Sequence, residues 1–134
     1  MLTPAQATAL IKSHPKVAIV GLSPKDDRPS YHVGQFLARN GFQITPIHPA
    51  HDEILGFPAK KSLTELAPGE VDWVDLFLNP SRLMDLLPEL KRLRPKLVWC
   101  QLGVVDEAFN AALDEAKIPY IADRCPKIEW SQQG

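Results

Sequence analysis

The sequence predicts an α/β fold: one domain with a five-stranded, mainly parallel sheet covered by helices on both faces. Two observations predict it. The runs V-A-I-V at residues 17–20 and L-V-W-C at 97–100 have no polar face, as suits strands buried on two sides. Stretches of helical spacing separate such runs, and strand alternating with helix over short links is the pattern of a parallel sheet.

The elements follow in order. Thr3 before Pro4 predicts a helix start, since threonine can cap free N–H groups and proline fits the first turn; Ala7, Leu10 and Ile11 then share one face, and Pro15 ends the helix. Strands are predicted at Val17 to Val20, Gln43 to Ile47, Val71 to Leu78, Leu97 to Leu102 and Tyr120 to Ala122. Between the first two, Ser30 is expected to cap a helix that carries Val33, Phe36 and Leu37 and closes at Asn40-Gly41. The long connection from His48 to about Glu70 should hold one short helix capped by Ser62. Leu83, Leu86, Leu87, Leu90 and Leu93 mark a helix that Pro88 should kink or break, and Ala108, Phe109, Ala112 and Leu113 mark another from about Asp106 to Ala116.

At 134 residues the chain suits a single domain spanning 1–134. Right-handed, untangled crossovers then suggest the strand order 3-2-1-4-5 of a Rossmann-like half. Ligands of such sheets sit beyond the carboxyl ends of the strands. That rule selects Gly21 to Tyr31, His48 and Pro49, Phe77 to Pro80, Gln101 to Val104, and Asp123 to Pro126.

Composition narrows the function classes. A net charge of −1 with 23% charged residues is an ordinary globular balance with no nucleic-acid signature, and the basic cluster at Lys91, Arg92, Arg94 and Lys96 reads as a solvated helix end. No membrane-length apolar run or secretory signal is apparent, so the cytoplasm is the expected compartment. Two cysteines without C-x-x-C spacing suit a reducing environment, and the four histidines form no metal-binding motif.

The loop after the first strand reads G-L-S-P-K-D-D-R-P-S-Y, residues 21–31. An NAD site would carry G-x-G-x-x-G there and an acid at the end of strand 2, and a Walker loop would carry G-x-x-x-x-G-K. Pro24 and Lys25 occupy the loop instead, and strand 2 ends in His48-Pro49. What the loop does offer is Ser23, Lys25 and Arg28 before a helix start, where the N–H groups of Ser30, Tyr31 and His32 add donors, a set able to hold phosphates. A plain turn followed by a solvated charge run fits the same residues.

The chain resembles the small bacterial CoA-binding proteins, stand-alone domains similar to the amino-terminal domain of the succinyl-CoA synthetase alpha subunit. The resemblance rests on V-A-I-V-G-L-S with R-P-S-Y, on P-I-H-P, E-I-L-G-F-P, V-D-W-V-D-L-F, W-C-Q-L-G-V-V and D-R-C-P-K-I-E-W, nearly the whole chain from about residue 10. It implies non-catalytic binding of coenzyme A or an acyl-CoA, as sensor, carrier or regulator. Carried over by position, Gly21, Ser23, Lys25, Arg28, Pro29 and Ser30 would surround phosphates, and His48 would face the adenosine. Phe77, Leu78 and Asn79 would line the next part of the groove, with Gln101, Gly103 and Cys125 nearest the pantetheine arm.

The larger synthetases need a phosphorylated histidine in a second domain and a nucleotide-binding partner, and no G-H-A-G-like segment occurs here. Enzymatic acyl-CoA or thiol-transfer chemistry with a partner subunit, NAD(P) binding, and a homodimer stay open as alternatives. Cys125 could form a mixed disulfide with CoA or be a buried structural cysteine; Cys100 reads as core. Asp123 and Arg124 are expected to form an ion pair or to orient the last loop, and Trp73, Trp99 and Trp130 to pack. Asp72 and Asp75 point to opposite faces of a strand and make a poor carboxylate pair.

Overall fold

The computed structural model describes residues 1–133. Helix α1 (Pro4–Lys12) begins in a capping box, with Thr3 Oγ1 accepting from the Gln6 N–H and the Gln6 side chain accepting from the Thr3 N–H. Strand β1 (Lys16–Val20), helix α2 (Pro29–Arg39) and strand β2 (Gln43–Ile47) follow. The long connection contains the Ser62-capped turn that was expected, as a 3-10 turn over Leu63–Glu65, preceded by a small antiparallel hairpin of β3 (Glu53–Ile54) and β4 (Phe57–Pro58) that was not.

Strand β5 (Trp73–Leu76) leads into a 3-10 segment, Pro80–Leu86, which passes into α3 (Leu87–Leu93) with Pro88 in its first turn. Pro88 therefore changes the helix type, because a proline is tolerated only where no intrahelical N–H is required. Strand β6 (Leu97–Cys100), helix α4 (Glu107–Glu115) with Asp106 as its side-chain cap, and strand β7 (Tyr120–Ile121) complete the sheet. A last helix, α5 (Pro126–Gln133), lies where no helix was expected.

The predicted α/β class is observed: five parallel strands with helices on both faces. Their order is β2-β1-β5-β6-β7, which corrects the expected 3-2-1-4-5 to 2-1-3-4-5 when the five strands are counted along the chain. The reason lies in the long connection. Val33 and Leu37 of α2 pack on one face of the sheet, with Val17, Ile19 and Trp99, whereas Leu63 and Leu66 pack on the other, with Ala18, Val74 and Val98. A right-handed crossover that changes face must also change direction, so β5 returns across β1 instead of extending beyond β2.

Helices α1, α2 and α5 cover the first face, and α3 and α4 the second. Trp73 and Trp99 are fully buried, with Phe42 edge-on to Trp73 at 5.8 Å between ring centroids, as packing residues should be. The sheet's two outer strands have distinctive neighbours. Pro46 on β2 has no N–H to give, and its carbonyl accepts from the Lys60 N–H at 2.8 Å; at the other margin the Leu2 N–H donates to the Tyr120 carbonyl, also at 2.8 Å. One residue breaks the apolar centre: Asp75, on the middle strand, is completely buried between Ile19 and Trp99.

Candidate functional site

The carboxyl ends of β1, β2 and β5 are drawn together around Gly21, whose N–H donates to the Ile47 carbonyl at 3.3 Å while the Phe77 N–H donates to that of Val20 at 2.9 Å. Gly21 has φ +84°, and a Cβ there would lie 2.1 Å from the Phe77 carbonyl oxygen. Only glycine meets both demands. The chain can therefore leave β1 sharply and open a floor at the switch point between β1 and β5.

The following loop is closed by its own polar groups. Ser30 Oγ accepts from the Ser23 N–H at 3.0 Å, and Ser23 Oγ accepts from the Lys25 N–H at 3.1 Å. Ser30 is thus a buried loop tie in the first turn of α2 and not its cap, since Arg28 occupies the N-cap position in extended conformation and Pro29 begins the helix. The Tyr31 and His32 N–H groups both donate to the Arg28 carbonyl, so of the three expected free donors only that of Ser30 escapes this acceptor. Two cations remain available. Arg28 has only the exposed Asp27 near it, at 3.9 Å, a contact worth little in water, and no ion pair to Lys25 is present among the described residues.

At the end of β2, His48 Nδ1 accepts from the Ala50 N–H at 3.0 Å, which places the ring proton on Nε2. Burial, then the neighbouring His51 and Lys61, hold this imidazole below the usual histidine range, so it is neutral near pH 7. The His51 ring stands edge-on to it at 4.6 Å.

The floor farther along comes from β5 and β6. Gln101 Nε2 donates to Asp75 Oδ1 at 2.5 Å, while Asp75 Oδ2 has no partner among the described residues. Burial raises the Asp75 carboxyl to about 7, against the opposing pull of the Gln101 hydrogen bond. Burial, with the Asp75 charge, likewise pushes the Cys100 thiol up to about 12, as suits an inert core cysteine. Cys125 is buried, and its carbonyl accepts from the Glu129 N–H at 3.0 Å to start α5.

These elements enclose a cleft of about 720 Å³, within the range of small-molecule sites. Of the residues selected from sequence, Gly21, Ser23, Lys25, Arg28, Pro29, Ser30, His48, Phe77, Leu78, Gln101 and Cys125 line it. Asn79 and Gly103 do not. Asn79 Oδ1 is occupied in capping the 3-10 segment through the Ser81 N–H, and the Gly103 N–H donates to Asp123 Oδ1 at 2.8 Å. Asp123 accordingly holds the Gln101–Val104 loop, and no ion pair with Arg124 is present among the described residues.

A second hollow of about 360 Å³ shares Gly21, Ser23, His48 and Leu78 with the first and adds Lys61, Ser62, Arg82 and Asp85. Sequence reasoning missed Lys61 and Arg82 because they come from the long connection and the 3-10 segment, outside the strand ends. It also missed Asp75, although an acid inside W-V-D-L-F was a visible signal: such a residue in a central strand must be buried. No group of three potential metal-ligating side chains occurs among the described residues.

Residues 15–131 match a protein-family model described as a CoA binding domain. A Bacillus subtilis protein, the uncharacterized YneT, is 32% identical over 124 residues, 92% of this chain and 91% of the relative. A solved Thermus thermophilus structure, cell-free ID.343, is 37% identical with a TM-score of 0.90, covering 99% of this chain and 100% of its own. A hypothetical protein from Pyrococcus horikoshii OT3 is 28% identical with the same TM-score of 0.90, over 98% of this chain and 92% of that one.

Proposed function

The chain belongs to the CoA-binding domain family, and from that premise we propose that it holds coenzyme A or an acyl-CoA in the cleft at the carboxyl ends of its strands, without catalysis. The carrying observation is the 21–30 loop. It is tied together through Ser23 and Ser30 and leaves Lys25 without an ion pair among the described residues and Arg28 with only the exposed Asp27 near it, which suits a diphosphate laid across Gly21.

The two hollows suggest the direction of the ligand. The smaller one, with His48 and the cations Lys61 and Arg82, suits the phosphorylated adenosine end. The larger one runs from the loop past Phe77 and Leu78 to Gln101 and Cys125, a less charged path that suits the pantetheine arm. NAD is the poorer fit, because β2 delivers a neutral histidine where a ribose would want an acid. The sensor, carrier or regulator role belongs to this reading, in which Cys125, lining the larger hollow, would meet the thiol end.

Isothermal titration with CoA, NAD, NADP and ATP tests the reading. CoA should bind most tightly, and Arg28→Ala should weaken it by about 1–2 kcal/mol. NAD binding tightly while CoA shows no heat would sink the proposal. A native mass spectrum of the purified protein, searched for retained CoA, offers an independent check.

A further inference from the structure

Behind the cleft floor, beneath Gln101, lies the buried carboxyl of Asp75, which lines neither hollow. Its neighbours along the middle strand, Val74 and Leu76, are wholly apolar, and its strand partners are Ile19 and Trp99. Packing alone would favour another apolar residue. Asp75 instead carries an oxygen with no partner among the described residues, at full burial, a cost that calls for a compensating role.

The group it touches is Gln101, through the 2.5 Å bond from Gln101 Nε2 to Asp75 Oδ1. The Gln101 backbone is already pinned, its N–H donating to the Leu76 carbonyl and its carbonyl accepting from the Val104 N–H. Only the amide can still choose an orientation. The two ends of an amide are nearly the same size, so shape does not select between them, whereas the ionised carboxylate that Asp75 becomes above about pH 7 can only accept. Asp75 therefore takes the NH2 end, and Oε1 is left without a protein donor among the described residues, on a side chain that lines the larger hollow.

We propose that Asp75 is a positioning residue: by holding the Gln101 NH2 group it presents Gln101 Oε1 to the cleft as an acceptor for an N–H or S–H of the ligand's pantetheine arm. The inference rests on the CoA reading. An acceptor oxygen matches an arm whose polar hydrogens belong to amides, a hydroxyl and a thiol, and it disfavours an anion, so the phosphates are directed to the Lys25 and Arg28 end.

Titrations at pH 8.5, where Asp75 is ionised, with CoA and with adenosine 3′,5′-bisphosphate, which lacks the arm, test it in wild type, Asp75→Asn, Gln101→Met and the double variant. The carboxamide that Asp75→Asn introduces can pair with either end of the Gln101 amide, so orientation is no longer imposed. Each single variant should weaken CoA about three- to tenfold, the range of one net hydrogen bond, and leave the bisphosphate within about twofold. Asp75→Asn should add little on the Gln101→Met background, because it acts through that side chain. Additive losses, equal weakening of both ligands, or undiminished CoA binding would overturn the inference while the CoA reading stands. Wild type binding no CoA would remove both. Should Asp75→Asn fail to fold by circular dichroism, Gln101→Met decides through the same comparison of ligands.

Discussion

Gly21 lines the cleft and Asp75 is buried behind a side chain that does, each at a cost the rest of the fold must offset. Substituting Gly21→Ala forces an L-residue to φ +84° and a methyl against the Phe77 carbonyl. It should destabilise by about 2–4 kcal/mol, visible as a lower urea midpoint with an unchanged slope. Asp75 has a pH signature. Its folded value, about 7, lies above the unfolded 3.8, so the folded state binds more protons in between. Its favourable contribution is complete below about pH 4 and is lost as pH rises through 7. Asp75→Asn cannot ionise, so its stability relative to wild type should climb across that window by an amount on the order of 4 kcal/mol and level off above it. Urea unfolding of both proteins at pH 5 and pH 8 checks this; an equal gap at the two values would show that burial does not raise this carboxyl.

Among the elements, boundaries marked by local chemistry were legible in the sequence. Thr3, Pro15, Asn40-Gly41, Ser62 and Asp106 all act at helix or turn ends, because caps and φ restrictions depend on neighbours only a few residues away. Arg28 taking the N-cap from Ser30 was not legible, since the choice depends on Ser30 Oγ meeting the Ser23 N–H across the loop. Helix α5 escaped for a similar reason: its apolar contacts are supplied by other elements, with Trp130 edge-on to Phe36 and Phe42. At the end of α4, Lys117 sits at φ +59° with the Ile118 N–H donating to the Leu113 carbonyl, a helix stop that favours glycine. Lys117→Gly should therefore stabilise by about 0.5–1 kcal/mol, and a thermal scan should show a melting temperature higher by a few degrees.

For the whole molecule, the class was readable and the order of strands was not. Apolar runs and helical spacing report what is buried, but the turn of β5 back across β1 depends on which face Leu63 and Leu66 choose, a matter of tertiary packing. The cleft survived that correction, because both orders bring the same strand ends to one edge of the sheet. A ligand bound there spans Gly21, His48, Phe77 and Gln101 and so links several strands of the sheet. At a concentration about 100 times its Kd, CoA should add about 2.7 kcal/mol of stability and raise the melting temperature by about 10 °C, with no comparable shift from NAD. The margins of the sheet carry a different consequence. Pro46 withholds a donor on β2, its carbonyl is taken by Lys60, and Leu2 occupies a carbonyl on the two-residue β7. Neither edge offers a row of open backbone groups to a stray strand, which guards against amyloid-like recruitment and domain exchange. Any pairing of two such chains would have to be made side chain against side chain.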